Sequence, residues 1–171
     1  MGKGILVLAL AAAVVVISTV LWAAIEVKPD KENVVASRLE GNWVMHVALT
    51  KRLLSRDISR EELRRNGRLA FKLDAAVAEK IPAKYDEFLA KKQIYAAGIM
   101  TRQQKEHAFL LIENSGNPHI VYFREDKDEP MGDAESFNVM LAPAKEPIND
   151  LLFVGGDFNN QPFKAYERAK E

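Results

Sequence analysis

The residues of this 171-residue chain best able to do chemistry are three histidines, an acidic run, a glycine pair and a basic stretch. His46, His107 and His119 never stand at the close spacing that lets two imidazoles share a metal. His46 is out of phase with Trp43 and Met45 and should point outward; His107 opens a strand, and His119 follows Pro118 in a turn. All three read as surface residues. The chain has no cysteine, which excludes disulfides, thiolate metal sites and a cysteine nucleophile. The acidic run Glu125, Asp126, Asp128, Glu129, Asp133 and Glu135 invites comparison with a calcium loop. Counted from Asp126, however, the glycine of the EF-hand template falls on Met131 and its bidentate glutamate on Phe137. A looser oxygen-lined cation site stays open beside the simpler reading, a solvated loop. That loop could face the basic stretch at residues 51–68 as a salt-bridged latch. This stretch sets Lys51, Arg52, Arg56, Arg60, Arg64, Arg65 and Arg68 against Asp57, Glu61 and Glu62, as a solvated helix face or an anion patch. Gly155-Gly156-Asp157 lacks the Gly-Lys-Ser/Thr ending of a phosphate loop and reads as a bend in a strand. Ser136 has no histidine after it and no strand-to-helix elbow. No catalytic residue, metal or cofactor is assigned, and the chain is not read as an enzyme. Equal numbers of acidic and basic residues, 24 each, give no field that would draw nucleic acid.

The elements that would position these groups are mainly strands. LEGNWVMHVALT alternates apolar residues at Trp43, Met45, Val47 and Leu49, the pattern of a strand with one buried face over about 41–50. A polar helical excursion follows, with Ser59 and Glu62 spaced as a capping box and Asn66-Gly67 as its stop. Residues 69–73 form a second strand, and Asp74 starts a second excursion interrupted at Pro82. Six further strands follow, over about 93–101, 106–114, 119–125, 136–142, 151–157 and 162–170. Eight strands joined mostly as hairpins predict a mainly β fold: a closed or nearly closed antiparallel up-and-down barrel with two short helical excursions. A barrel of this size holds either packed side chains or one small ligand.

The N-terminal segment carries the most specific signal. Residues 5–25, opening at Ile5 and closing at Ile25, contain no charged side chain. At 1.5 Å per helical residue this run spans roughly 30 Å, the hydrocarbon thickness of a bilayer. A cleaved signal peptide is the competing reading. Its apolar region is usually shorter, and Leu21-Trp22 sits badly before a cleavage site at Ala23-Ala24. Trp22 fits an interfacial anchor. The expected organisation is a transmembrane anchor at 1–25, a charged tether at 26–38 and a barrel at 39–171. Lys3 before the span and Lys28, Lys31 and Arg38 after it balance too closely to fix orientation by charge. A short N-terminal tail favours an extracytoplasmic barrel.

The two ends of the predicted barrel resemble those of the calycins, the group of lipocalins and fatty-acid-binding proteins. Gly41-Asn42-Trp43 is similar to the Gly-x-Trp that opens the first lipocalin strand, and Arg168 stands where a basic residue packs across that Trp. Lys164-Ala165-Tyr166-Glu167-Arg168 resembles the closing strand of fatty-acid-binding proteins, with Lys164 where that family has Arg. The resemblance runs over about residues 39–170, apart from the helical insertions. It implies that Gly41, Trp43 and Arg168 close the barrel at its base, and that Lys164 and Tyr166 reach inward toward a ligand. Met45, Val47 and Phe71 complete the expected lining. Two functions stay open: a membrane-anchored barrel holding a small apolar or amphiphilic ligand, or a filled barrel whose charged mouth contacts another envelope protein.

The full-length protein should fractionate with membranes and retain its first 25 residues, and added protease should digest the barrel in intact spheroplasts. Mature protein beginning near Ile25 would overturn the anchor, and full protection from protease would reverse the orientation.

Overall fold

A computed structural model describes residues 34–126, 129–155 and 163–170. The proposed anchor at residues 5–25 lies outside them. Among the described residues, no helix is long and apolar enough to cross a membrane.

Eight antiparallel strands, each bonded to its neighbours in chain order, close into a barrel. They are β1 (Gly41–Met45), β2 (Arg68–Leu73), β3 (Ile94–Arg102), β4 (Lys105–Asn114), β5 (Asn117–Asp126), β6 (Glu129–Ala142), β7 (Leu151–Gly155) and β8 (Lys164–Arg168). Strand period places alternate side chains in the lumen. Trp43, Met45, Leu69, Phe71, Met100, Phe109, Leu111, Ile120, Val139, Leu152 and Tyr166 meet there in one buried cluster.

The outer face of β3, β4 and β5 is buried as well. Short helical turns at Ala75–Lys80 and Ala83–Tyr85 lead into a one-turn α-helix at Asp86–Leu89. Val77, Ala78, Ile81 and Leu89 from this excursion pack with Ile94, Ala97, Leu110, Ile112, Val121 and Phe123. Burial on both faces explains why these strands read as continuous apolar runs rather than strict alternation.

Several expected boundaries move. The first strand ends at Met45 rather than near Thr50, because His46 caps a helix, α2 (Val47–Leu54), with its Nδ1 accepting from the Leu49 amide. His46 is therefore a half-buried cap and not an outward strand residue. The tether ends early too. Val34–Arg38 is a helix, α1, whose Val35 and Ala36 join the lumen cluster, so these residues belong to the barrel. Glu129 to Glu135, expected in a solvated loop, lie in β6. His119, expected at the surface, is buried within β5, with Nδ1 against the Asn117 carbonyl.

The base is closed as the calycin-like ends imply. Trp43 pairs with Arg168 across β1 and β8, and the Arg168 guanidinium lies 4.1 Å from the indole centroid. Arg168 also donates to the carbonyls of Arg38 and Glu40, while the Trp43 indole N–H donates to the Leu39 carbonyl at 2.9 Å. Gly41 has φ +124°, and a Cβ there would collide with the Arg168 guanidinium. The Gly of Gly-x-Trp thus clears space for the arginine as well as supplying the backbone angle. Behind this clasp, Arg38 donates to the Ala144 carbonyl and to the fully buried Asp150, both at 3.0 Å.

Trp43→Ala should cost about 3–5 kcal/mol, since it empties a fully buried site. Arg168→Ala should cost less, and Arg168→Lys least, because lysine keeps the charge and loses the planar stack. In urea unfolding, the Trp43 and Arg168 changes should be non-additive by at least about 0.5 kcal/mol. Additive costs would mean that the stack contributes nothing to closure.

Candidate functional site

Three of the five residues expected to line a ligand site meet inside the barrel. Met45, Phe71 and Tyr166 are at most 5% exposed and pack in the lumen cluster, where side chains occupy the space. Val47 is the first residue of α2, half-buried, and not on a strand. Lys164 and Tyr166 do point to the mouth, but the chain itself engages them. The connection from β1 to β2 carries α2 and α3 (Arg60–Asn66), whose capping box forms as expected, with the Ser59 hydroxyl accepting from the Glu62 amide at 3.0 Å. Glu62 then meets Lys164 Nζ at 3.1 Å and accepts from the two terminal guanidinium nitrogens of Arg56, at 2.8 and 3.1 Å. The Tyr166 hydroxyl donates to the Asn66 carbonyl at 2.9 Å, and burial pushes its pKa up. One half of the mouth is therefore lidded.

Among the described residues the other half is open, and the reason lies in the register. The ladder between β4 and β5 ends at Phe109 and Tyr122. Beyond that point Lys105 to Ala108 pair with β3, and Phe123, Arg124 and Asp126 pair with β6. The β5–β6 end is drawn outward by the helical excursion. Lys84 reaches Glu129 at 3.1 Å and the Gly132 carbonyl at 2.9 Å, and the Tyr85 hydroxyl donates to the Met131 carbonyl at 3.1 Å. Tyr85 also packs edge-on against Phe123, with centroids 5.0 Å apart. The separated strands flank a half-open slot of about 1000 Å³, whose polar lining includes Arg102, Lys105, His107, Tyr122, Arg124 and the three glutamates Glu106, Glu125 and Glu135. Ala108, Phe123, Pro130 and Met131 supply the apolar part.

A chain of polar contacts crosses the slot. Arg102 bridges the lid and the barrel wall, donating to Asn66 Oδ1 at 3.3 Å and to the Tyr122 hydroxyl at 2.9 Å. Tyr122 in turn donates to Glu135, and burial together with that carboxylate pushes its pKa up to about 12. Arg124 binds Asp133 at 2.6 Å and Glu135 at 2.7 Å, so the acidic run is held by a neighbouring strand residue and not by the basic stretch at 51–68. That stretch pairs internally, Lys51 with Asp57, Arg56 with Glu62 and Arg65 with Glu61. His107 sits edge-on to Tyr122, with centroids 5.4 Å apart. Its pKa is lowered by burial first and then by Arg102, Arg124 and Lys105, against a hydrogen bond to the Phe123 backbone.

Sequence reasoning passed over Arg102, Tyr122 and Arg124. The signal was present: Arg102 is in phase with Met100, and Tyr122 and Arg124 with Ile120, both lumen residues. Among the described residues, no group of three or more His, Asp or Glu side chains could hold a metal ion. No protein-family model, curated protein or solved structure matches the chain.

The lid contact has a defined pH dependence. The hydrogen bond from Arg56, with Lys164 adding to it, holds the Glu62 carboxyl below its ordinary range. The unfolded chain takes up that proton more readily, so this contribution is whole above the ordinary range and lost as pH falls through the lowered value. Glu62→Gln should cost about 1 kcal/mol at pH 7 and less at pH 3, read from urea midpoints. An equal cost at both pH values would assign the effect to packing.

Proposed function

We propose that this protein is a binding module of lipocalin-like architecture that takes a small amphiphilic molecule at its mouth, in the slot between β4 and β5. The observation behind this reading is the division of the interior. Trp43, Met100, Phe109, Leu111, Ile120, Val139 and Leu152 are at most 1% exposed, which leaves little room deep in the barrel. The slot exceeds the roughly 300 Å³ at the lower end of small-molecule sites, and it combines apolar walls with a few placed polar groups. In this reading residues 5–25 anchor the domain in a membrane, and the short N-terminal tail puts it on the extracytoplasmic side.

The packed lumen also favours a second reading: a filled barrel that serves as a structural or protein-contact module of the cell envelope. Calycin likeness rests on the closed eight-stranded barrel and on the Gly41, Trp43 and Arg168 clasp, and supports either function.

Mass spectrometry of molecules co-purifying with the full-length protein separates the two. A bound amphiphile should be recovered from the native chain, depleted by the slot-filling His107→Trp and retained by the lumen substitution Met45→Leu. The reverse pattern would place the ligand in the barrel floor, and no recovered molecule in any of the three would favour the filled module.

A further inference from the structure

Arg102 is a half-buried cation whose described partners, Tyr122 and Asn66, are both neutral. The comparable cations of the barrel have carboxylates: Arg38 has Asp150, Lys164 has Glu62, and Arg124 has Asp133 and Glu135. Arg168 and Lys92 are the other exceptions: Arg168 directs its donors to backbone carbonyls, and Lys92 bonds to Asn114 Oδ1 at 2.6 Å beside the Phe88 ring. Glu135, one carboxylate of the slot, is already engaged, since it accepts from both Arg124 and Tyr122.

A guanidinium has five N–H donors in a planar fork, and these two bonds use two of them. The fork is also held in orientation, with Arg102 Cζ 5.5 Å from the Tyr122 ring centroid and 5.7 Å from that of Phe137. Lys105 lines the same slot from its exposed rim, while Ala108, Phe123 and Met131 offer an apolar wall. Glu106 and Glu125 line it too, but both are exposed, where water and salt screen them.

Resting on the slot reading above, we propose that Arg102 determines its specificity, selecting amphiphiles whose head is an oxyanion, a carboxylate or a phosphate monoester. The head bonds to the unused face of the Arg102 fork, and the apolar tail lies along Phe123 and Met131. Tyr122 keeps its proton throughout, so it holds the guanidinium by accepting from it while donating to Glu135.

The test uses the full chain in phosphatidylcholine nanodiscs, titrated with hexanoate, hexyl phosphate, hexanol and hexyltrimethylammonium. Amide shifts of Arg102, His107 and Phe123 are the readout. Both anions should bind at least about tenfold more tightly than hexanol, the fold-change of one charge-assisted hydrogen bond. The tighter of the two identifies the head. Arg102→Met should remove that preference, bringing both anions to the affinity of hexanol; Arg102→Lys, which keeps the charge and loses the fork, should fall between. Equal binding of hexanol and the anions at these amides, unmoved by Arg102→Met, would overturn the oxyanion assignment and leave the slot reading intact. Preference for the ammonium would do the same. If none of the four shifts these amides, both readings fail.

Discussion

The fold depends on a single arginine reaching across the place where the barrel meets itself. β1 and β8 share three register pairs, the shortest ladder in the ring, and one of these is Trp43 with Arg168. A ladder that short has few backbone bonds to hold it. Arg168 compensates through stacking on Trp43 and through bonds to the Arg38 and Glu40 carbonyls, which tie the first helix and first strand to the last. Around this clasp the other elements fall into place. Leu39 and Trp43 plug the floor, Arg38 reaches Asp150 in the β6–β7 connection, and α1 closes the base.

The opposite end follows a different rule. At the base, apolar surface and backbone carbonyls hold the arginines, with one buried ion pair between Arg38 and Asp150; at the mouth, paired charges dominate. Glu62 occupies Lys164 on the lidded side, and Asp133 and Glu135 occupy Arg124 on the open side. Arg102 stands between the two halves, bound to Asn66 of the lid and Tyr122 of the wall. Its position makes it a contact through which lid and slot can influence each other. An interior filled below this level leaves the mouth as the part of the barrel where side chains can still meet a solute.

The strands were legible because alternation and turn residues are local signals, and local signals survive in a single sequence. Gly41, Trp43 and Arg168 were legible for a related reason: a Gly-x-Trp at the first strand and a basic residue at the last must meet if the sheet closes. The errors have physical causes. Val47 and Leu49 continue the alternation of Trp43 and Met45, but the chain turns into a helix because His46 caps it, and histidine is not among the favoured capping residues. The acids at Asp133 and Glu135 read as loop because charge is rare in strands, yet an arginine opposite them on β5 pairs with both. The slot was out of reach. It arises where two adjacent strands choose different partners, and no window of sequence records that choice.

The clasp has a consequence for how the chain reaches this state. Arg168 and Glu40 are 128 residues apart, so their contact closes nearly the whole domain into one loop. The entropy of closing a loop rises with its length, and contacts of such separation slow folding. The hairpins from β3 through β7 need only short connections, so a curved open sheet is the natural precursor, with the ring shut last. Trp43 would then gain its buried fluorescence in the final kinetic phase, and its appearance together with the earliest phase would show that closure leads rather than follows. Until that step the barrel has two free edges, β1 and β8, each able to pair with another copy of the chain. The same arginine that stabilises the finished ring thus also limits how long those edges stay available.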